Sequence, residues 1–546
     1  MSIVEETRTS NGIRTRRRAQ QSRLRRITTG LSRTFGPGTL RPAGFTAVAP
    51  LMGFLSALFM VVRLFVPGPV GMADQGDGQR LLCSLGVMNV RPWDYENFTR
   101  FIHPQWVPHQ YYGEGCAAGG PLGTDVSSQW LLLWPAKWLT GFLVAPGLDT
   151  RVLGAVCCLA FGLLITALMA VLPGRRNFRI LIAGLVTVVS ADGVFADFFI
   201  APYSESGAFL GALALVVALL HYWNGRGLRP LAVLWVLLAA SFTIGTAPQA
   251  ASWLPVVVLA LFWTPAAGRD DGGSPRPARG RLRRFALPLT ASLLLGAFTV
   301  GVLATQSPRT TELTTYNAVF AEMLPHSPTP EDDLRWLGAD PALASATGST
   351  VVSANSAVYS PRYQEFRDTV SPGKIAAFYL THPERLIGMA ERGIEGVLTP
   401  ELGYLGSYPQ DSGHQPSEKD RRFPPVLFFF TALRAFPVLY LALNLAVILV
   451  GLALASRHGS AVGRVAVLLT LASWAQFWAV MLSGGQAEIY KDLIVTGYMS
   501  ALTVPLFFAS ACLLGSRART AGPGGDQSSQ PSSRSRRRRL NSDVTS

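Results

Sequence analysis

Apolar residues gather along the chain in ten separated blocks, at 45–66, 152–172, 180–198, 207–223, 230–246, 250–263, 285–305, 436–455, 465–482 and 493–514. Most approach twenty residues, and twenty residues of α-helix span about 30 Å, the thickness of bilayer hydrocarbon. Inside hydrocarbon every backbone N–H and C=O must be paired within the protein, so such blocks predict helices. The fold class that follows is an all-α polytopic membrane protein of about ten transmembrane helices. The block at 250–263 is the shortest.

Two intervals between blocks are long. The first, 67–150, contains Trp130, Trp134 and Trp138, four apart on one side of a predicted helix and beside Lys137. A Trp stripe with a lysine fits a helix lying in the headgroup layer. The alternative, that 127–144 is another crossing, would move the loop holding Arg175 to the outside. The second interval, 306–424, reads as a small extramembrane domain. Glu331-Asp-Asp-Leu-Arg-Trp336 begins a helix with acids in its first turn, and 372–397 reads as a helical pair interrupted at His382-Pro383. No alternation of strands is evident. The chain thus divides into a basic tail (1–44), a transmembrane core (45–305), an outside domain (306–424), further transmembrane helices (425–515) and a second basic tail (516–546).

Charge orients this map. Of the 546 residues, 49% are hydrophobic and 15% charged, with a formal net charge of +15. Arginines crowd the two tails, where they suit anionic lipid headgroups, and nucleic acid is not an expected partner. If the chain starts inside, each connection that returns inside is basic: Arg175, Arg176 and Arg179, then Arg226 and Arg229, then Arg276 to Arg284, then Arg457 and Arg464. Both termini are accordingly expected in the cytoplasm. The 306–424 interval carries fifteen Asp and Glu against ten Lys and Arg, which fits an outside placement. No cleavage site follows the first block, so it reads as a retained anchor of the cell membrane. Cys157, Cys158 and Cys512 fall inside apolar blocks, whereas Cys83 and Cys116 share the first outside loop, where a disulfide is possible.

Candidate chemistry lies at the predicted outer edge. Asp74 and Asp77 in Ala73-Asp-Gln-Gly-Asp-Gly-Gln-Arg80 are three apart, so in a helix they share a face with Arg80. A carboxylate there suits a general base, and a neighbouring cation suits a departing phosphate. The same stretch also reads as a Gly-rich turn with local Asp caps. Asp192 and Asp197 close the third block and Glu205 follows in a tight loop; acids at this depth face a polar cavity or pair with an arginine, Asp192 with Arg63 for example. Lys491 sits at the outer boundary of the last block, where it either meets a lipid phosphate or snorkels.

One apolar span, an acidic motif in a long first outside loop, further spans and an outside domain together resemble the GT-C membrane glycosyltransferases. Ala73-Asp-Gln-Gly-Asp-Gly-Gln-Arg80, Pro202-Tyr-Ser-Glu205 and Tyr379-Leu-Thr-His-Pro383 are similar to stretches of bacterial surface-glycan hexosyltransferases. The resemblance implies a polyprenyl-phosphate sugar donor, a cell-envelope glycan acceptor and an acidic base, mapping to Asp74 or Asp77. The expected substrate contacts are Arg80, Asp192, Asp197, Tyr203, Glu205 and Lys491. No cofactor is required by the motif, and two loop carboxylates are compatible with a divalent metal or with none. The adjacent Asp-Glu pair of the protein mannosyltransferases is missing from this loop. A rival class, a transporter or flippase of a lipid-linked glycan, would place its ionisable groups nearer the bilayer midplane.

Overall fold

The computed structural model describes residues 47–73, 78–89, 99–108, 126–224, 228–263, 278–306, 308–484 and 489–520, and puts helix over each of the ten apolar blocks. In chain order these and their neighbours are α1 (Val48–Phe65), α2 (Trp130–Leu143), α3 (Thr150–Val171), α4 (Arg176–Ser190), α5 (Glu205–Asn224), α6 (Arg229–Ile244), α7 (Leu254–Phe262) and α8 (Ala278–Ala304). There follow α9 (Pro330–Leu337), α10 (Pro372–Thr381), α11 (Pro383–Leu398), α12 (Pro425–Arg434), α13 (Pro437–His458), α14 (Ala461–Ser483) and α15 (Ile494–Thr520).

Among the described residues, seven helices are long and apolar enough to cross a membrane, and α4 with the turn at Gly193–Ile200 adds a pair bent by 66°. Two of the ten expected spans are shorter than a full crossing. The sixteen residues of α6 reach about 24 Å as α-helix. Before α7 the chain runs as a 3₁₀ helix, Pro248–Trp253, because Pro248 and Pro255 interrupt regular α hydrogen bonding. The interfacial helix expected in the first long loop is α2, fourteen residues and about 21 Å long. Its Trp134 and Trp138 point outward, while Trp130 turns inward and donates to the Leu81 carbonyl at 3.3 Å.

Burial separates the centre of the bundle from its rim. In α5, 78% of the apolar window is buried, against 33% in α1 and α13 and 28% in α8. The outer helices therefore present leucines and aromatics, including Leu51, Phe54, Leu293, Val300, Val438 and Leu449, to lipid. With no water to drive helices together in lipid, close approach rests on small residues. At the α1–α3 crossing a Cβ added to Gly162 would lie 2.8 Å from the Gly53 carbonyl oxygen and 2.8 Å from Ala57 Cβ. Gly451 and Gly463 make the same kind of contact between α13 and α14.

The bundle has two distinct ends. At one, Trp223 donates to the Trp263 carbonyl (3.0 Å), Asn224 donates to Val171 (2.7 Å), Arg179 donates to Met169 (2.6 Å), and the Arg464 guanidinium lies 5.6 Å from the centre of the Trp223 ring. Arg175, Arg176 and Arg229 begin helices at this same end. The opposite end carries residues 306–424, docked on α14 and the start of α15: a Cβ on Gly393 would strike Phe477 and Met481, and one on Gly396 would meet Ile489 and Leu493. Within this region α9 starts with Glu331, Asp332 and Asp333 and stops at left-handed Gly338, and α10 and α11 divide at His382-Pro383, both as the sequence predicts.

The absence of strand alternation does not mean an absence of strands. An antiparallel pair joins β1 (Gly71–Met72) to β5 (Leu405–Ser407), and β2 (Val87–Asn89), β3 (Gln105–Pro108) and β4 (Leu148–Asp149) form a three-stranded sheet. At two to four residues each, these strands are too short to show a two-residue period in the sequence. Cys83 is disulfide-bonded, whereas Cys157, Cys158 and Cys512 are free thiols; Cys116 lies outside the described residues.

The α1–α3 crossing yields a direct stability test. Gly162→Leu is expected to lower the thermal unfolding midpoint in detergent, as overpacking a tight contact typically costs about 1–3 kcal/mol. Gly184→Leu, where an added Cβ meets only the end of Met52 at 3.9 Å, should leave the midpoint nearly unchanged.

Candidate active site

A guanidinium buried at the rim of the bundle organises the end that carries 306–424. Arg63, in the last turn of α1, is 5% exposed and cannot reach bulk water. A charge at that depth requires partners of opposite sign. It finds two: Asp197 at 3.2 Å, from the 3₁₀ turn after the α4 bend, and Asp420 at 2.9 Å, from the segment leading into α12. Asp420 also accepts from Arg422 Nε at 2.6 Å and from the Tyr408 hydroxyl at 3.2 Å. Arg422 in turn donates to the carbonyls of Val66 and Gly68, the latter at 3.2 Å. The seam therefore clamps the chain just past α1 to residues near 420.

The clamp continues as backbone pairing. Gly71 pairs with Ser407 and Met72 with Leu405, and Ala73 donates its N–H to the Tyr404 carbonyl at 2.8 Å. Gly406 permits this approach because it is left-handed (φ 77°) and a Cβ there would stand 3.2 Å from the Asp420 nitrogen. Asp74 and Asp77, the expected base candidates, lie outside the described residues. The next described residue, Gly78, opens the short helix Gly78–Cys83 and rests against the Pro202 ring so closely that a Cβ would overlap it. Arg80 lies in that helix, and its side chain is also outside the described set.

Beyond Pro202, Tyr203 is buried and Glu205 is half-buried in the first turn of α5, its carboxylate accepting from the Ser204 hydroxyl at 3.4 Å. Lys491, 5% exposed in the short helix Ile489–Asp492, places its ammonium 4.9 Å from the centre of the Tyr203 ring. Thus Gly78, at one flank of the acidic segment, rests on Pro202, whose neighbour Tyr203 meets Lys491, with Glu205 following in the first turn of α5.

Asp192 and Asp197 are placed differently. Asp192 is fully buried and accepts from Val194 N–H at 3.0 Å and from Val426 and Leu427 N–H at 2.5 and 3.2 Å. It thereby caps the turn after α4 and the start of α12 together. The arginine pairing envisaged for Asp192 falls to Asp197, because Asp192, in the break of the 66° bend, is taken up by three backbone N–H groups while Asp197 lies beside Arg63. Both carboxylates hold the fold around the site. Among the described residues no group of three or more His, Cys, Asp and Glu side chains could hold a metal ion.

These features define a multi-pass helical membrane protein whose polar residues converge at one end of the bundle. A family model described as the YfdI N-terminal transmembrane domain matches residues 45–517, and the chain belongs to that family. No curated protein and no solved structure matches it.

Removing Arg63 would leave two buried carboxylates without their shared cation, a change that typically costs about 3–5 kcal/mol. Arg63→Ala is therefore expected to give little folded protein in detergent, and Asp420→Asn to lower the unfolding midpoint in the same direction. Wild-type midpoints for both would show that the seam does not hold this end of the bundle.

Proposed function

We propose that the protein is a glycosyltransferase of GT-C type that moves a monosaccharide from a polyprenyl-phosphate donor to a cell-envelope glycan at the outer face of the cytoplasmic membrane. The observation that carries this reading is the convergence at the seam. Ala73 and Gly78, on either side of the acidic segment, are fixed against Tyr404 and Pro202, and Pro202 adjoins the Tyr203–Lys491 contact. A base, a cation and the membrane boundary would then meet in one place.

In this reaction the carboxylate of Asp77 or Asp74 takes the proton of an acceptor hydroxyl. The acceptor oxygen attacks the anomeric carbon from the face opposite the phosphate, the carbon–oxygen bond to phosphate breaks, and polyprenyl phosphate leaves with the electron pair. Lys491 stabilises that departing charge, and Tyr203 holds the ammonium in place through its ring face. Glu205 orients sugar hydroxyls. Arg80 is a second candidate for the phosphate. The lipid tail lies among the exposed apolar side chains of the outer helices. The arginine-bearing end of the bundle faces the cytoplasm, with both termini.

The test is transfer by purified protein in liposomes, from a radiolabelled polyprenyl-phosphate sugar to an acceptor extract. Wild type should move label to glycan with inversion at the anomeric carbon. Asp77→Asn or Asp74→Asn should lose about 10²- to 10⁴-fold in rate at unchanged protein level. Label that only crosses the vesicle would favour a flippase, and full activity in both variants would remove the proposed base.

A further inference from the structure

A separate polar cavity of about 150 Å³ lies within residues 306–424. One wall comes from the π-helix Asn317–Met323, a backbone form rare in proteins and frequent at functional sites. Its Glu322 is 1% exposed; one carboxylate oxygen meets Arg392 Nη2 at 2.5 Å, and the other, Oε2, is buried with no hydrogen-bond partner. Across the cavity Asp333 is 5% exposed and its Oδ2 likewise accepts no hydrogen bond, with Arg385 Nη2 at 3.6 Å. Arg392 Nε is a third orphan, a donor. Buried polar groups in folded proteins are nearly always satisfied, so three orphans around one cavity point to an occupant that both donates and accepts.

The remaining walls narrow the chemistry. His326 donates from Nδ1 to the Glu322 carbonyl at 2.7 Å, which leaves Nε2 as an acceptor in the neutral ring. Phe378 and Tyr379 supply apolar ring surface, and burial, with the nearby Glu322 charge, pushes the Tyr379 hydroxyl well above its ordinary range and keeps it a neutral donor. Glu384 at the lip makes three carboxylates against two guanidiniums, a balance that disfavours phosphate. We propose that this cavity binds one neutral sugar ring of the acceptor glycan. Hydroxyl groups donate to Glu322 and Asp333 and accept from Arg392, while a C–H face lies on the aromatic rings. Binding follows from the cavity alone; the word acceptor rests on the transferase reading.

The experiment is saturation-transfer NMR on the full chain in lipid nanodiscs, with methyl α-glucoside, methyl α-galactoside and methyl α-mannoside as probes and glucose 6-phosphate as the anionic control. At least one methyl hexoside should receive saturation, and glucose 6-phosphate should receive none. Gly388→Phe fills the cavity from α11, where an added Cβ meets only the flexible end of Arg392 at 3.2 Å, and should reduce the signal at least fivefold. Glu384→Gln, at an exposed position, provides a second variant and should weaken binding without affecting folding. No saturation of any methyl hexoside by wild type, or an unchanged signal in both variants, overturns the proposal. Hexoside binding without transfer leaves the cavity's role standing and removes the transferase reading; transfer without hexoside binding does the reverse.

Discussion

The arrangement at this end of the molecule depends on one buried cation. Arg63 ends a helix whose outer face is made for lipid, so its guanidinium has no bulk water to turn to. Two carboxylates far apart in sequence, Asp197 and Asp420, must converge on it, and each brings its own segment. Asp197 fixes the bend after α4, and Asp420 fixes the strand pairing that ends at Ala73. Three segments with no local reason to meet are thereby placed within a few ångströms of each other.

Around this seam the bundle separates chemistry by depth. The central helix α5 is buried on nearly all sides, and its first turn carries Glu205 just after the Pro202–Tyr203 step. Lys491 stands at the head of the final span beside Tyr203. Under the proposed function, the lipid part of a donor belongs with the apolar outer helices and its phosphate with the polar rim. A hydrophilic acceptor belongs with residues 306–424. The reacting atoms then meet where the two environments join.

Much of the fold was legible in the sequence, for physical reasons. Hydrocarbon thickness fixes block length, so the ten apolar blocks marked helices, and the Pro at 383 marked the division between α10 and α11. The acids at 331–333 announced the start of α9 through its helix dipole. Less local features were hidden. Nothing near Arg63 indicates which acid will reach it, and its partner is Asp197 rather than Asp192 because Asp192 is occupied by the backbone N–H groups of Val194, Val426 and Leu427. Asp420 and Arg422 sat in plain view in the run Lys419-Asp-Arg-Arg422, but pairing across the chain has no sequence period. The π-helix that carries Glu322 has no sequence signature either. For the candidate site, Glu205 and Lys491 stand out by their placement at span boundaries and Tyr203 by the stretch Pro202-Tyr-Ser-Glu205, and the structure sets Lys491 over the Tyr203 ring; Asp74 and Asp77 stand out by their place just beyond the first apolar block and lie outside the described residues.

The central claim is that the seam end of the bundle receives a lipid-borne phosphate. A cryo-electron microscopy structure of the purified protein with a bound polyprenyl-phosphate sugar tests it most directly. The account predicts phosphate density within hydrogen-bonding distance of Lys491, with the sugar directed toward the segment between Ala73 and Gly78. Phosphate bound instead at the opposite end, beside Arg464 and Trp223, would contradict it.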